Sequence, residues 1–272
     1  MQLLNFIFIT NKPDLANFAF NNGATRIMVD TEINGKIERQ KGLNTLISDH
    51  KIEDINAIKE INENIPVICR INPVCSDTRF EIEQAILNGA DFIMLPMFKS
   101  NEEVKFVNSV IANRVKLILL FETLESLLKI DEITSEFSFD EAHIGLNDLS
   151  IAFGSNFMFE ILTSGIVEYM SNYFVKNKIP FGIGGIAKYD EGIAKSQLII
   201  SEHARLGSTS VILSRSFHEY SQNLDELTKR VNFSYEIELL KKSYLSYLDI
   251  SLEELNKNKN TLVKQVYKYL NK

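Results

Sequence analysis

Two acidic residues in the middle of the chain follow apolar segments of the kind that form buried strands. Glu122 comes after the run Ile118–Phe121, and Asp148 lies in the segment EAHIGLNDLSIAFG, which we interpret as one buried strand. A carboxylate directly after a buried parallel strand lies at the mouth of a barrel or sheet. Two such carboxylates on consecutive strands can share one hard divalent cation, because hard cations prefer oxygen ligands. The sequence therefore predicts a metal site formed by Glu122 and Asp148.

Polar residues and glycines also follow the other apolar runs. The second, third, fourth and eighth runs end in Asp30-Thr31-Glu32, Arg70-Ile71-Asn72-Pro73, Pro96-Met97-Phe98-Lys99 and Ser214-Arg215-Ser216, and the seventh ends in Gly182-Ile183-Gly184-Gly185, which we interpret as a turn. Barrel enzymes build their active sites from the loops at this end of their strands. A core made only for packing does not require charged residues there, so the pattern favours a functional site.

Apolar runs alternate with segments of helical periodicity along most of the chain. The runs predict strands at 6–10, 26–30, 66–71, 91–96, 116–121, 142–145, 180–184 and 210–214. The periodic segments predict helices at 13–23, 52–64, 77–89, 101–113, 124–136, 159–177, 191–207 and 221–231. This alternation favours parallel strands with right-handed crossovers, and eight strands can close an α/β fold of the (β/α)8 TIM barrel type. An open doubly wound sheet is the alternative.

The alternation stops near the C-terminus. Residues 1–232 are therefore predicted to form one barrel domain, and residues 233–272 to form a C-terminal helical extension without a strand. The extension contains two amphipathic segments, which we expect to pack on the barrel or on a neighbouring subunit.

Composition limits the possible functions. The 272 residues carry a net charge of −7 with no basic arm, which argues against a nucleic-acid partner. The apolar run at the N-terminus is too short to span a bilayer and lacks a basic flank, so we expect no membrane partner. Cys69 and Cys75 match no metal or redox motif and are expected to be free thiols that serve in packing, which favours a cytoplasmic protein.

Five motifs together carry a resemblance to a known superfamily. They are VDTE, CRIN, GADFIMLPMF, LLFET and HIGLNDLSIAFG, and the resemblance as a whole covers roughly residues 20–215. In this order they resemble the metal-dependent pyruvate aldolases and the citrate lyase β-subunit, including the hydroxy-oxo-heptanedioate and dehydro-deoxyglucarate aldolases. The resemblance implies a (β/α)8 barrel in a homo-oligomer, often with a C-terminal helix exchanged between subunits.

The resemblance also implies roles for individual residues. Glu122 and Asp148 would coordinate Mg²⁺ or Mn²⁺, which a 2-oxo acid such as pyruvate would chelate. The metal would act as a Lewis acid and stabilise the enolate when a carbon–carbon bond breaks or forms. Arg70 would face the keto or enolate oxygen, and Asp30 and Glu32 would orient Arg70 or metal-bound waters. A purely structural pairing of Arg70 with these two acids is the alternative.

Backbone amides and cations near the same end are expected to bind the substrate. The amides around Gly145, Leu146 and Asn147, and those of Pro96 and Met97, would receive the substrate carboxylate. A phosphate or second carboxylate would be recognised by Gly184, Gly185 and Arg215, and a further anionic group by Lys36 and Arg39. The alternative for the glycines is that they only relieve crowding at the barrel rim.

The sequence departs from the aldolase pattern in three ways. Ile33 stands where aldolases usually carry an acid–base histidine, so Lys36, Arg39 or a metal-bound water would have to replace it. Leu120 stands where they often have glutamine, and the long loop after the fourth strand is missing. This shorter form is nearer to the citrate lyase β-like members.

A divalent-metal-dependent carbon–carbon lyase acting next to a 2-oxo acid, with an aldehyde or acyl co-substrate, is the leading hypothesis. A lyase or thioesterase acting on an acyl-CoA is one alternative, and a non-catalytic ligand-binding barrel is another. The four histidines receive no catalytic role. His143 is expected to be a hydrogen-bonded interior residue, His203 a helix residue facing a neighbour, and His50 and His218 surface residues.

Overall fold

The computed structural model describes residues 4–35 and 49–271, and within them parallel strands form a closed barrel. The strands are β1 (Asn5–Ile9), β2 (Arg26–Asp30), β3 (Val67–Arg70), β4 (Phe92–Leu95), β5 (Lys116–Phe121), β6 (Glu141–Ile144), β7 (Phe181–Ile186) and β8 (Ser210–Leu213). Each strand pairs with the next in sequence, and β1 pairs with β8. The predicted (β/α)8 barrel is therefore confirmed, and the open sheet is excluded.

Alternation along the strands decides which side chains reach the barrel mouth. Ile118 and Leu120 of β5 belong to the small apolar cluster inside the barrel, whereas Leu117, Leu119 and Phe121 pack outward in the main core. Because side chains alternate with period two, the residue after Phe121 points inward. The same rule applies to β2 and β3, where interior Met28 and Ile68 precede Asp30 and Arg70 by two residues. The strand pattern thus turns Glu122, Asp30 and Arg70 toward one central space.

Helices surround the barrel between the strands. They are α1 (Pro13–Asn21), α2 (Asp54–Ile61), α3 (Thr78–Leu87), α4 (Asn101–Ile111), α5 (Leu124–Leu128), α6 (Ile130–Glu136), α7 (Leu146–Ala152), α8 (Phe159–Thr163), α9 (Ile166–Lys176), α10 (Ser196–Leu206) and α11 (Leu224–Arg230). Ser100 and Thr123 begin α4 and α5 with capping boxes, in which each side chain accepts from the amide three residues later.

The structure corrects three local predictions. The segment 141–154 is not one strand, because β6 ends at Ile144 and α7 follows after Gly145. The predicted helix 124–136 is divided into α5 and α6 at Lys129. The predicted helix 159–177 is divided at Gly165, whose φ of 92° lies in the left-handed region that a continuing helix excludes.

The predicted C-terminal helical extension is present and packs on the barrel of the same chain. It consists of α12 (Phe233–Leu248) and α13 (Leu252–Leu270), which both contact α10. Phe233 meets Phe8 and Phe217 edge to face, and the Tyr244 hydroxyl donates to the Ser208 carbonyl at 3.0 Å. Separate domain status and exchange between subunits stay predictions. None of the described helices combines the length and apolarity needed to cross a bilayer.

Candidate active site

Glu122 lies directly after β5, and its carboxylate is held by the ends of neighbouring strands. Its side chain is 4% exposed, and the Met97 amide donates to Glu122 Oε1 at 3.1 Å. Met97 has a φ of 52°, a conformation that costs a non-glycine residue about 1 kcal/mol or more. On the other side, a Cβ added at Gly145 would lie 2.6 Å from Glu122 Oε2. A strained residue and a glycine therefore fix the position of this carboxylate.

Asp148 reaches the same site from a helix, not from the end of a strand. It lies in the first turn of α7 and is half-buried, and it lines an open cleft together with Glu122 and Met97. Burial raises the pKa of Glu122 well above its ordinary value near 4.5, and the carboxylates of Asp148 and Glu32 raise it further. The predicted pair Glu122 and Asp148 therefore lines one cleft, where the charge of Asp148 acts on Glu122.

Arg70 forms the opposite wall of the site and is clamped by two buried acids. Its Nε donates to Asp30 Oδ1 at 2.8 Å and its terminal nitrogen to Asp30 Oδ2 at 2.7 Å. Glu32 Oε2 lies 3.5 Å from the Arg70 Nε. Asp30 and Arg70 are direct neighbours in the register of β2 and β3, so the pairing follows from the sheet. Burial opposes the charge of Arg70, but Asp30, Glu32 and Glu122 outweigh it and raise its pKa.

A divalent cation of the Mg²⁺ or Mn²⁺ type fits the donors at Glu122 and Asp148. The described residues contain no group of three or more His, Cys, Asp or Glu side chains arranged around one point, so a protein-only cage is not available there. A two-carboxylate site leaves positions for water and substrate oxygens, as Mg²⁺ usually requires. Burial and the carboxylates of Asp148 and Glu32 disfavour the charged form of Glu122, Arg70 favours it, and a bound cation would favour it further.

The amides predicted to bind a substrate carboxylate are only partly available. Pro96 has no N–H, and the Met97 amide is used by Glu122. The Gly145 amide donates to the Phe121 carbonyl at 3.0 Å and belongs to the sheet. These three predictions are therefore wrong as far as the amides are concerned. Leu146 and Asn147 stand in the first turn of α7, where amides have no carbonyl one turn earlier to bind.

The glycines after the seventh apolar run lie within a strand, not in a turn as predicted. β7 continues to Ile186, with a register irregularity between Ile183 and Gly185. A Cβ at Gly184 would come within 2.8 Å of the Leu146 Cγ, so Gly184 makes room for that side chain. At Gly185 the nearest atom would be 3.6 Å away. The alternative that Gly184 relieves crowding is therefore supported, and anion binding by either glycine stays a prediction.

The remaining predicted cations divide into two groups. Arg215 follows β8 and lines a cavity. This cavity lies next to the bidentate ion pair of Asp30 and Arg70, which we call the Asp30–Arg70 clamp. The electrostatic influence of Asp30 and Arg70 on Arg215 places it near that clamp. Lys36 and Arg39 lie outside the described residues.

Sequence reasoning missed His50 and Asn72. Neither His50 nor His218 is a simple surface residue, because both are partly buried, and His50 Nδ1 accepts the backbone N–H of Asp30 at 2.9 Å. Asn72 Oδ1 accepts the amides of Ile33 and Asn34 at 2.8 and 2.9 Å, which fixes the start of the loop after β2. Asn72 was recognisable from its place in CRIN, but His50 follows Asp30 by 20 residues with no motif to connect them.

His143 is an interior residue and His203 a helix residue, as predicted, and the side chain of His203 is buried as well. His203 is buried in α10, and its Nδ1 hydrogen-bonds with the Ser208 hydroxyl at 2.9 Å. His143 is buried in β6, but its Nε2 has no hydrogen-bond partner in the described part of the chain, so the predicted hydrogen bond is not found at that atom. Burial lowers the pKa of each to about 3.

Solved structures support the same architecture. An HpcH/HpaI aldolase from Desulfitobacterium hafniense DCB-2 is 14% identical, with a TM-score of 0.62 over 85% of this chain and 94% of that one. The citrate synthase SbnG is 18% identical, with a TM-score of 0.58 over 78% of this chain and 86% of that one. At these identities the likeness establishes the fold only. No curated protein sequence is similar enough to match.

A sequence model of one family matches the chain more specifically. The match covers residues 5–158, which include β1 to β6, the Asp30–Arg70 clamp, Glu122 and Asp148. This is more than half of the 272 residues. The chain therefore belongs to the HpcH/HpaI aldolase/citrate lyase family, a family of aldolase-type lyases that act on small molecules.

Proposed function

We propose that the protein is a divalent-metal-dependent carbon–carbon lyase that cleaves or forms a bond next to a 2-oxo acid such as pyruvate. One observation carries the proposal: Glu122 and Asp148 line one cleft, and Arg70, which is held by Asp30 and Glu32, is close enough for its charge to act on Glu122. An anionic ligand group and a fixed guanidinium thus face the same small space. Such an arrangement suits a reaction in which negative charge develops on an oxygen.

Different residues are proposed to bind the metal and the substrate carboxylate. Glu122 and Asp148 would hold Mg²⁺ or Mn²⁺, which when bound supplies Lewis-acid polarisation of the keto group. The amides of Leu146 and Asn147 are proposed to receive the substrate carboxylate at the start of α7. An aldehyde or acyl co-substrate would complete the reaction.

Arg70 is the proposed catalytic residue for charge stabilisation. The bidentate bond to Asp30 and the contact with Glu32 hold its guanidinium plane in one orientation. A pre-oriented donor stabilises the enolate oxygen without reorganising during the reaction. Asp30 and Glu32 act through Arg70 and are therefore positioning residues.

Exchange of the pyruvate methyl protons with D₂O tests this proposal. We expect metal-dependent loss of the methyl signal in proton NMR, because enolate formation removes a methyl proton. Arg70→Lys should slow the exchange, since lysine cannot make the bidentate bond to Asp30. Glu238→Gln is the control, because Glu238 is exposed on α12, away from the site, and pairs with Lys242 at 3.5 Å. Equal exchange with and without metal would refute the proposal.

A non-catalytic ligand-binding barrel is a second candidate, favoured by Ile33. This side chain is 46% exposed and cannot transfer a proton where the aldolases carry histidine. Under this alternative, pyruvate or oxalate would raise the melting temperature without any exchange. The two measurements on one sample therefore decide between the candidates.

A further inference from the structure

A second cavity adjoins the clamp on the side of β1 and β8. It has a volume of about 300 Å³, and its lining includes Lys12, Asp49, His50, Arg215 and Ser221. The Asp30 backbone N–H donates to His50 Nδ1, so one residue of the clamp directly contacts the cavity wall. The wall of the cavity is therefore joined to the proposed catalytic site through this hydrogen bond.

Ser221 provides the strongest sign that a ligand belongs there. Its side chain is 6% exposed, yet its Oγ has no hydrogen-bond partner within the described residues. A buried hydroxyl without a partner costs about 1–3 kcal/mol, and folded proteins rarely retain one without reason. A ligand with acceptor oxygens in the cavity would satisfy it.

The charges of the lining favour an anion. Lys12 and Arg215 are cations, and Asp49 is the one carboxylate among the described residues that line the cavity. Burial lowers the pKa of His50 below its ordinary value, against the opposing charges of Asp30, Asp49 and Asp54. Because the His50 Nδ1 accepts a hydrogen bond, the neutral ring carries its proton on Nε2 and can donate from there.

The donors differ in type and belong to residues that line one cavity, which suits a group with several acceptor oxygens. An ammonium, a guanidinium, a hydroxyl and an imidazole N–H can share the three terminal oxygens of a phosphate monoester. A planar carboxylate offers only two oxygens. The chemistry of the wall therefore matches a phosphate monoester better than a second carboxylate.

We propose that this cavity binds the phosphate group of a phosphorylated substrate through Lys12, Arg215 and Ser221, an inference that rests on the proposed function. The substrate would extend from Glu122 and Asp148 past Arg70 into the cavity. This assignment keeps the predicted role of Arg215 but replaces the two glycines of β7 by Lys12 and Ser221.

Inorganic phosphate is the first probe, titrated into the full chain and followed by ³¹P NMR. Mg²⁺ and excess oxalate are present throughout, so that the metal site is already filled. We expect Lys12→Gln and Ser221→Ala each to weaken phosphate binding by about tenfold. Ser221→Ala should fold normally, because the lost hydroxyl has no partner to lose. Lys229→Gln is the control, since Lys229 is exposed and pairs with Asp225 on α11.

The second probe separates a substrate phosphate from free phosphate. With pyruvate as the donor, the ratio of kcat/KM for glyceraldehyde 3-phosphate over glyceraldehyde should exceed one and fall about tenfold in both variants. Phosphate binding without this preference would overturn the assignment to the substrate. Pyruvate exchange without phosphate binding would overturn the cavity assignment alone, whereas phosphate binding without exchange would overturn the lyase and leave the cavity as an anion site.

Discussion

Replacement of Glu122 by glutamine should stabilise the metal-free protein and remove its response to metal. Glutamine keeps the shape and an acceptor for the Met97 amide, which lies 3.1 Å from Glu122 Oε1. It removes a negative charge that burial, Asp148 and Glu32 all disfavour, and loses only the opposing attraction of Arg70. We therefore expect a gain in the free energy of unfolding within the range of about 0.5–3 kcal/mol by which single substitutions usually change stability.

The gain should depend on pH in a defined direction. The folded-state pKa of Glu122 lies above its ordinary value near 4.5, so the folded protein holds this proton more tightly than the unfolded chain. Below that ordinary value Glu122 contributes no difference, and the wild type loses stability as the pH rises toward the folded-state pKa. The advantage of Glu122→Gln should therefore increase with pH until Glu122 is ionised in both states.

Urea denaturation with EDTA, at about pH 5 and about pH 8, measures this effect. Added Mn²⁺ should then stabilise the wild type and not Glu122→Gln. Glu238→Gln on α12 is the control, and as an exposed substitution away from the site it should change stability by less than about 0.5 kcal/mol. A destabilised Glu122→Gln protein, or a difference that does not grow with pH, would refute the conclusion that the negative charge of Glu122 is unfavourable in the metal-free protein.

Three further predictions follow from the same geometry. Arg70→Lys should lower the rate of pyruvate exchange by about 100-fold with little change in Mn²⁺ affinity, measured by NMR and calorimetry; a parallel loss of both would mean that Arg70 only supports the fold. Gly145→Ala should displace Glu122, because its Cβ would lie 2.6 Å from Glu122 Oε2, and should cost about 1–3 kcal/mol in urea denaturation, whereas Gly185→Ala, with 3.6 Å of room, serves as the control. The pKa of His203 is lowered to about 3, so its contribution to stability is lost as the pH falls from 6.5 toward that value; His203→Asn should flatten this decline in acid denaturation, and an unchanged slope would contradict it.

The barrel and most of its mouth were predictable because they follow from strand periodicity. Alternation places Asp30, Arg70 and Glu122 inward once the strands are known, and neighbouring strands bring Asp30 beside Arg70. The apolar runs and their order were sufficient to identify these three residues. The resemblance to the family added the prediction that Glu122 binds a metal.

The predictions that were wrong concern contacts between residues far apart in sequence, which no local sequence pattern encodes. Asp148 was expected at the end of a strand, but the chain turns into α7 at Gly145, where only glycine leaves room for Glu122. The Met97 amide was expected to bind substrate, but it binds Glu122, which is 25 residues away in sequence. His50 was missed because its contact with Asp30 spans a long connection.

Binding of Mn²⁺ to the wild type and to the double variant Glu122→Gln/Asp148→Asn tests the central claim most directly. Isothermal titration with oxalate present should show one Mn²⁺ per chain in the wild type and no measurable binding in the double variant, while both proteins remain folded by circular dichroism. Unchanged Mn²⁺ binding after both carboxylates are removed would contradict the account.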